Sequence, residues 1–109
     1  MPKLVAEDYD AGDLEDSLAK RGFTHLRVRH RGDLLTIESG PKSAPVAHAR
    51  LRRDTVHLWI LEMPTHTGRW ERTPFRQLMD QQVELLATQL AWALAPLPAI
   101  QRRTSGRRY

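Results

Sequence analysis

From residue 24 to residue 63 apolar and polar side chains alternate, and each alternating stretch is closed by residues that favour turns. A period of two sends successive side chains to opposite faces of a strand. A chain patterned in this way folds into a sheet with one buried face. The stretches are residues 24–30, 33–38, 45–52 and 55–63, and residues 69–72 read as a short fifth strand. Arg31-Gly32 and Arg53-Asp54 read as tight turns, with residues 39–43 and 64–68 as longer loops. Gly32 fits such a turn because glycine adopts a positive φ at no steric cost. The expected aliphatic face holds Leu26, Val28, Leu35, Ile37, Ala47, Ala49, Leu51, Val56, Leu58 and Ile60, with Trp59 and Leu61 on the other side of the fourth strand.

Helical signals flank this region. Residues 11–21 read as a short helix, with Asp10 as its cap and Asp13, Glu15 and Asp16 near its N-terminal end. Lys20 and Arg21 stand at the other end, where the helix dipole favours cations, and Gly22 follows as a stop. Thr73-Pro74 reads as the cap and first position of a long helix over residues 74–94. One apolar stripe on it is Phe75, Met79, Val83, Leu86 and Leu90; a second, spaced by sevens, is Leu78, Leu85 and Trp92. One stripe suffices to cover a sheet, so the second suggests another neighbour. The fold class is therefore α+β: an antiparallel meander of four to five strands, a short N-terminal helix, and a long C-terminal helix packed on one face. Residues 1–95 form the expected single domain. Residues 96–109 read as a proline-containing linker and a basic, flexible tail.

Charge is unevenly placed along the chain. Of 17 Lys and Arg residues, Arg102, Arg103, Arg107 and Arg108 lie near the C-terminus, so the other 13 balance the 13 acids. The whole excess of +4 belongs to the tail. There is no cysteine, which removes disulfides, thiolate metal sites and cysteine nucleophiles and fits a reducing, cytoplasmic home. No apolar run reaches the roughly 18 residues of a membrane span. Acids at positions 7, 8 and 10 argue against a secretory signal.

Sequence motifs for catalysis are missing. His48, His57 and His66 recur at nine-residue intervals, and a hairpin could bring the first two together, but no recognised metal-ligand spacing accompanies them. Ser17, Ser39, Ser43 and Ser105 have no nucleophile-elbow motif around them. No cofactor-binding pattern and no small-molecule site are expected. One constellation stands out: the strand face opposite the aliphatic one, which collects Arg27, Arg29, Arg50 and Arg52, with His48, His57 and Trp59, while Arg69 and Trp70 sit at its edge. Arginines track phosphates and aromatic rings stack on bases. Together with Arg102 and Arg103 these are the candidate nucleic-acid contacts.

The helix–strands–helix order resembles the double-stranded RNA-binding domain. That family carries a lysine-rich N-terminus on its second helix. Here the segment is Pro74-Phe75-Arg76-Gln77, without lysine, so the resemblance is one of topology without the binding motif. The expected function is a non-catalytic interaction module, self-associating or serving as the accessory subunit of a larger bacterial assembly. Leu78, Leu85, Trp92 and Leu61 are its candidate interface residues. The alternative is a nucleic-acid binder that uses the arginine face and the tail.

Overall fold

The computed structural model describes residues 5–96. The tail, with Arg102 and Arg103, lies outside the described residues. The elements run α1 (Asp8–Lys20), β1 (Arg27–Arg31), β2 (Leu34–Ser39), β3 (Val46–Arg53), β4 (Trp59–Pro64), β5 (Trp70–Gln77), α2 (Met79–Thr88) and α3 (Ala91–Leu94). All five strands form one antiparallel sheet in the order β1-β2-β3-β4-β5. The expected α+β meander is the fold, with five strands.

The helices share one face of the sheet. α1 packs on β1 and β2, α2 on β4 and β5, and α3 on β3. The core between the layers joins Leu14 and Leu18 of α1, Leu35 and Ile37 of β2, Ala49 and Leu51 of β3, Trp59 and Leu61 of β4, Val83, Leu85 and Leu86 of α2, and Leu94 of α3. The rim of β1 is sealed as well. Glu15 of α1 accepts a hydrogen bond from the Val28 amide at 2.8 Å, and the Ala6 amide donates to the Gly32 carbonyl at 2.8 Å. Side-chain and main-chain cover of this kind keeps an edge strand from pairing with another chain.

Three sequence expectations are corrected. The first concerns the phase of β4. Arg53 pairs with Trp59, so a five-residue loop replaces the expected two-residue turn, and β4 starts at Trp59. Inside that loop the amides of Asp54 and Thr55 both point to the Leu58 carbonyl. Strand register has a period of two, so a shift by one residue exchanges the faces. Leu61 stands opposite Leu51 and both are fully buried, whereas Ile60 pairs with Arg52 on the far side. Trp59 is 3% exposed and belongs to the core, not to the arginine face; Val56 is 55% exposed in the loop.

The second correction concerns the long helix. Residues 74–77 complete β5 instead of opening a helix. Pro74 sits where β5 departs from regular pairing, between Arg72 opposite Glu62 and Arg76 opposite Ile60. An edge strand tolerates proline there because no ladder bond requires its missing N–H. Met79 starts α2, and Gln81 reaches back to accept from the Leu78 amide at 3.0 Å, the half of a capping box a leucine cap permits. The chain then breaks at Gln89-Leu90 before α3. The seven-residue stripe therefore dissolves. Leu78 precedes α2, Leu85 is in the core, and Trp92 lies on a separate turn, 72% exposed. Leu61 is likewise inside this chain's own core.

The third is a bulge in β3. Ile37 pairs with Ala49 but Glu38 pairs with Ala47, so His48 has no cross-strand partner. The extra residue takes His48 out of phase with Arg50 and Arg52 and into contact with α3.

Truncation should separate the two faces of β4. L61A is expected to cost about 2–5 kcal/mol, because it opens a cavity in a filled core, while V56A should stay within about 0.5 kcal/mol. Urea unfolding of the two variants measures both, and the reverse ranking would restore the phase expected from sequence.

Candidate functional site

The uncovered face of the sheet is built by cross-strand pairing. Successive pairs link Arg29, Thr36, Arg50, Glu62 and Arg72 in one row across all five strands. A second row links Arg31, Leu34, Arg52, Ile60 and Arg76. In both rows β1, β3 and β5 supply arginine, while β2 and β4 supply the residues between. Strands are spaced at about 4.8 Å and same-face neighbours at about 7 Å, so the arginine backbones form a grid of roughly 10 by 7 Å. The irregular pairing of β5 stretches the grid at Arg72 and Arg76. Among the described residues no element packs on this face.

Buried carboxylates hold the grid in place. Glu62, its side chain 5% exposed, accepts from Arg50 Nε at 2.5 Å and Arg52 Nε at 3.1 Å, with Arg72 Nε at 3.7 Å. Arg52 extends the network to Asp33 at 3.1 Å. Glu38, 6% exposed, receives Arg29 Nε at 3.3 Å and Arg27 Nε at 3.5 Å. Arg76 pairs with Asp54. A carboxylate shared among several guanidiniums, with its desolvation offset by charge-assisted hydrogen bonds, keeps long side chains in fixed orientations. Burial pushes the Glu62 carboxyl up, but the hydrogen bonds from Arg52 and Arg50 outweigh it and hold the group below its ordinary value of 4.5. The bonds to Glu62 raise Arg52 above its already high value.

The outer ends of the arginines reach solvent. The side chains of Arg29, Arg72 and Arg76 are 51%, 60% and 49% exposed. Trp70, half-buried at the start of β5, lies under the Arg50 guanidinium with the cation 4.4 Å from its ring centre. Such stacking fixes both groups. Of the sequence candidates, Arg27, Arg29, Arg50, Arg52 and Trp70 thus come together. Arg69 is an exposed residue of the β4–β5 turn. Trp59 is on the other side, under Arg53 at 5.3 Å. Arg53 itself clamps the N-terminal segment, donating to the Val5 carbonyl at 2.9 Å and to Asp10 at 3.4 Å.

Sequence reasoning missed Arg72 and Arg76, and with them the role of Glu62 and Asp54. The signal for Arg76 was concealed by reading residues 74–77 as helix, whereas Arg72 stands two residues from Trp70 in the expected fifth strand and was legible by parity. The signal for Glu62 was concealed by the inverted phase of β4.

The histidines serve the other layer. His48 Nδ1 bonds the Ala93 carbonyl at 2.8 Å, and Nε2 meets Ser39 Oγ at 2.7 Å. His25 Nε2 bonds the Leu94 carbonyl at 2.7 Å, and the two imidazoles meet edge to face at 6.2 Å. Together they tie the end of α3 to the sheet, satisfying carbonyls a four-residue helix cannot. Ser39 is buried and its hydroxyl is held by His48. His57 and His66 are exposed loop residues, and no group of three or more His, Asp or Glu among the described residues could hold a metal ion. No helix of the described residues is long and apolar enough to cross a membrane.

Charge is segregated between the layers. Glu7, Asp8, Asp10, Asp13, Glu15 and Asp16 cluster at and within α1, and Asp80 and Glu84 lie on α2. The arginine grid occupies the opposite surface. The near-neutral body is therefore dipolar.

No family model, curated protein or solved structure matches the chain.

The titrating groups carry opposite pH signatures. Glu62 contributes stability that is present above about pH 4.5 and lost as pH falls through its lowered folded value. E62Q should flatten that acid limb in a series of urea melts. Burial holds His48 below its ordinary 6.5, with His25 adding to the effect and the Ala93 bond opposing it. Its contribution is full above pH 6.5 and declines as pH falls from there. Bonding to Asp8 raises His30 above 6.5, so that pair's contribution is present below pH 6.5 and lost as pH rises through the folded value. Imidazole chemical shifts followed against pH should place the His48 midpoint below 6.5 and that of His30 above it.

Proposed function

We propose that this chain is a non-catalytic interaction module that docks an acidic partner through the open sheet face. The observation that supports this reading is the two-row arginine grid, in which buried Glu38 and Glu62 hold Arg29, Arg50, Arg52 and Arg72, and which every described element leaves uncovered. Preorganised side chains lose little freedom on binding, which favours affinity. The segregated charge adds orientation: an anion is drawn to the grid and repelled from α1. The chemistry needed is binding alone, and the reading makes the protein a cytoplasmic accessory subunit of a larger bacterial assembly.

A second reading is favoured by Trp92. It is 72% exposed and borders a shallow apolar groove with Phe75, Leu90 and Met63, between α3 and β5. Exposed aromatic surface of this kind is common where chains associate. In this reading the chain self-associates as a homodimer through α3 and β5, and W92A would dissociate it.

Arg29 and Arg72 give a clean test of the first reading. Each is exposed, and each shares its carboxylate with other arginines, so removal leaves Glu38 and Glu62 paired. In full-length protein whose Arg102, Arg103, Arg107 and Arg108 are replaced by glutamine, R29A/R72A should elute from heparin at clearly lower salt than its parent. Equal elution would remove the grid from the binding surface. Sedimentation of the parent and of W92A decides the second reading by mass.

A further inference from the structure

We propose, resting on the open-face reading, that the acidic partner is a single-stranded nucleic acid whose phosphates lie over the Arg29–Arg50–Arg72 row and one of whose bases stacks at Trp70. Three features of the face carry this. The first is the lack of an accessible apolar centre. Between the arginines, Ile60 and Thr36 are each 7% exposed and Leu34 is half-buried, so little apolar surface is open. A protein interface usually has a dry, apolar core inside a polar rim. Here arginines outnumber the apolar residues in both rows, so affinity comes chiefly from charge and stacking.

The second feature is periodicity. Arginines on alternate strands spread cations over four strand spacings, about 19 Å, instead of gathering them at one point. An extended repeating anion can engage all of them together, whereas an isolated carboxylate or phosphate meets one. The inner nitrogens of Arg29 and Arg50 are engaged with Glu38 and Glu62, which holds each planar group by its Nε edge and leaves the terminal nitrogens as donors.

The third feature is Trp70. Its ring and the Arg50 guanidinium are already stacked at 4.4 Å, at the corner of the grid beside Arg72 and the turn carrying Arg69. Bases stack on aromatic rings and on guanidinium planes alike. An unpaired base offers an open π-face, while a duplex keeps its bases inside. The grid alone would accept either form, and the stacking platform selects the single strand.

The test uses full-length protein with the four tail arginines replaced by glutamine, a fluorescein-labelled oligodeoxythymidylate of about 12 nucleotides, its duplex with oligodeoxyadenylate, and heparin as a polyanion without bases. The single strand should bind roughly tenfold more tightly than the duplex. W70L should weaken it by about 5- to 150-fold, the usual range for one stacked base, with W70F recovering most of the loss. R29A/R72A should lower the slope of log affinity against log salt by about 1.4, two phosphates' worth. If single strand, duplex and heparin bind alike and W70L behaves as its parent, the nucleic-acid assignment is overturned while the open-face module stands. If R29A/R72A changes binding to none of the three, both readings fall. Circular dichroism melts of each variant confirm that the comparison is made between folded proteins.

Discussion

Leu51 opposite Leu61 is the pairing on which the rest of the molecule rests. It fixes which side of β4 meets the helices, and by sheet parity it fixes the face of every residue paired through β3 and β4. With Leu61 inward, Glu62 must point outward, between Arg50 and Arg72. A slip by one residue would bury that carboxylate under the helices and expose Trp59 and Leu61. The hydrophobic core and the ionic network therefore enforce the same register from opposite sides of one sheet.

The ionic network also explains how a sheet can leave one face bare. Main-chain hydrogen bonds are satisfied within the ladder, but the outward side chains of β2 and β4 still need cover. Glu38 and Glu62 obtain it from guanidiniums instead of from a second layer of helix, and Thr36 and Ile60, each 7% exposed, stand between the same arginines. Long cationic side chains lie over apolar and carboxylate groups while keeping their heads wet. A lysine in place of Arg50 could neither reach Glu62 through an Nε edge nor lie flat on Trp70.

Much of the fold was legible because alternation is a local signal. The strands, the meander and the shared face of Arg27, Arg29, Arg50 and Arg52 follow from spacing, and the first helix from its charged ends, although it starts at Asp8 with Glu7, not Asp10, as its cap. What escaped depends on non-local geometry. The length of the β3–β4 loop is set by main-chain bonds to the Leu58 carbonyl, which composition does not encode. Residues 74–77 carry helix-start chemistry in Thr73-Pro74, yet pairing with β4 overrides it, and Thr73 instead donates to the Leu61 carbonyl at 2.8 Å. The His48 bulge has no sequence mark beyond a histidine in a strand. It turns the His48 imidazole to the Ala93 carbonyl of α3, a partner distant in the chain.

The meander order has a kinetic meaning. Every strand pairs only with its neighbour in the chain, so the sheet assembles from hairpins that close loops of two to six residues. Closing short loops is fast and costs little chain entropy. The distant contacts are those that bring α1 to α2 and to Arg53, and α3 to β3. They join Leu14 and Leu18 of α1 and Leu94 of α3 to one core, and among their polar bonds are Arg53 to Asp10 and the two imidazoles that grip α3. These contacts close longer loops than the hairpins do, so the helical layer settles on a sheet whose strands pair locally. Partial opening would bare apolar surface on the side away from the arginines and leave the grid standing on an intact sheet.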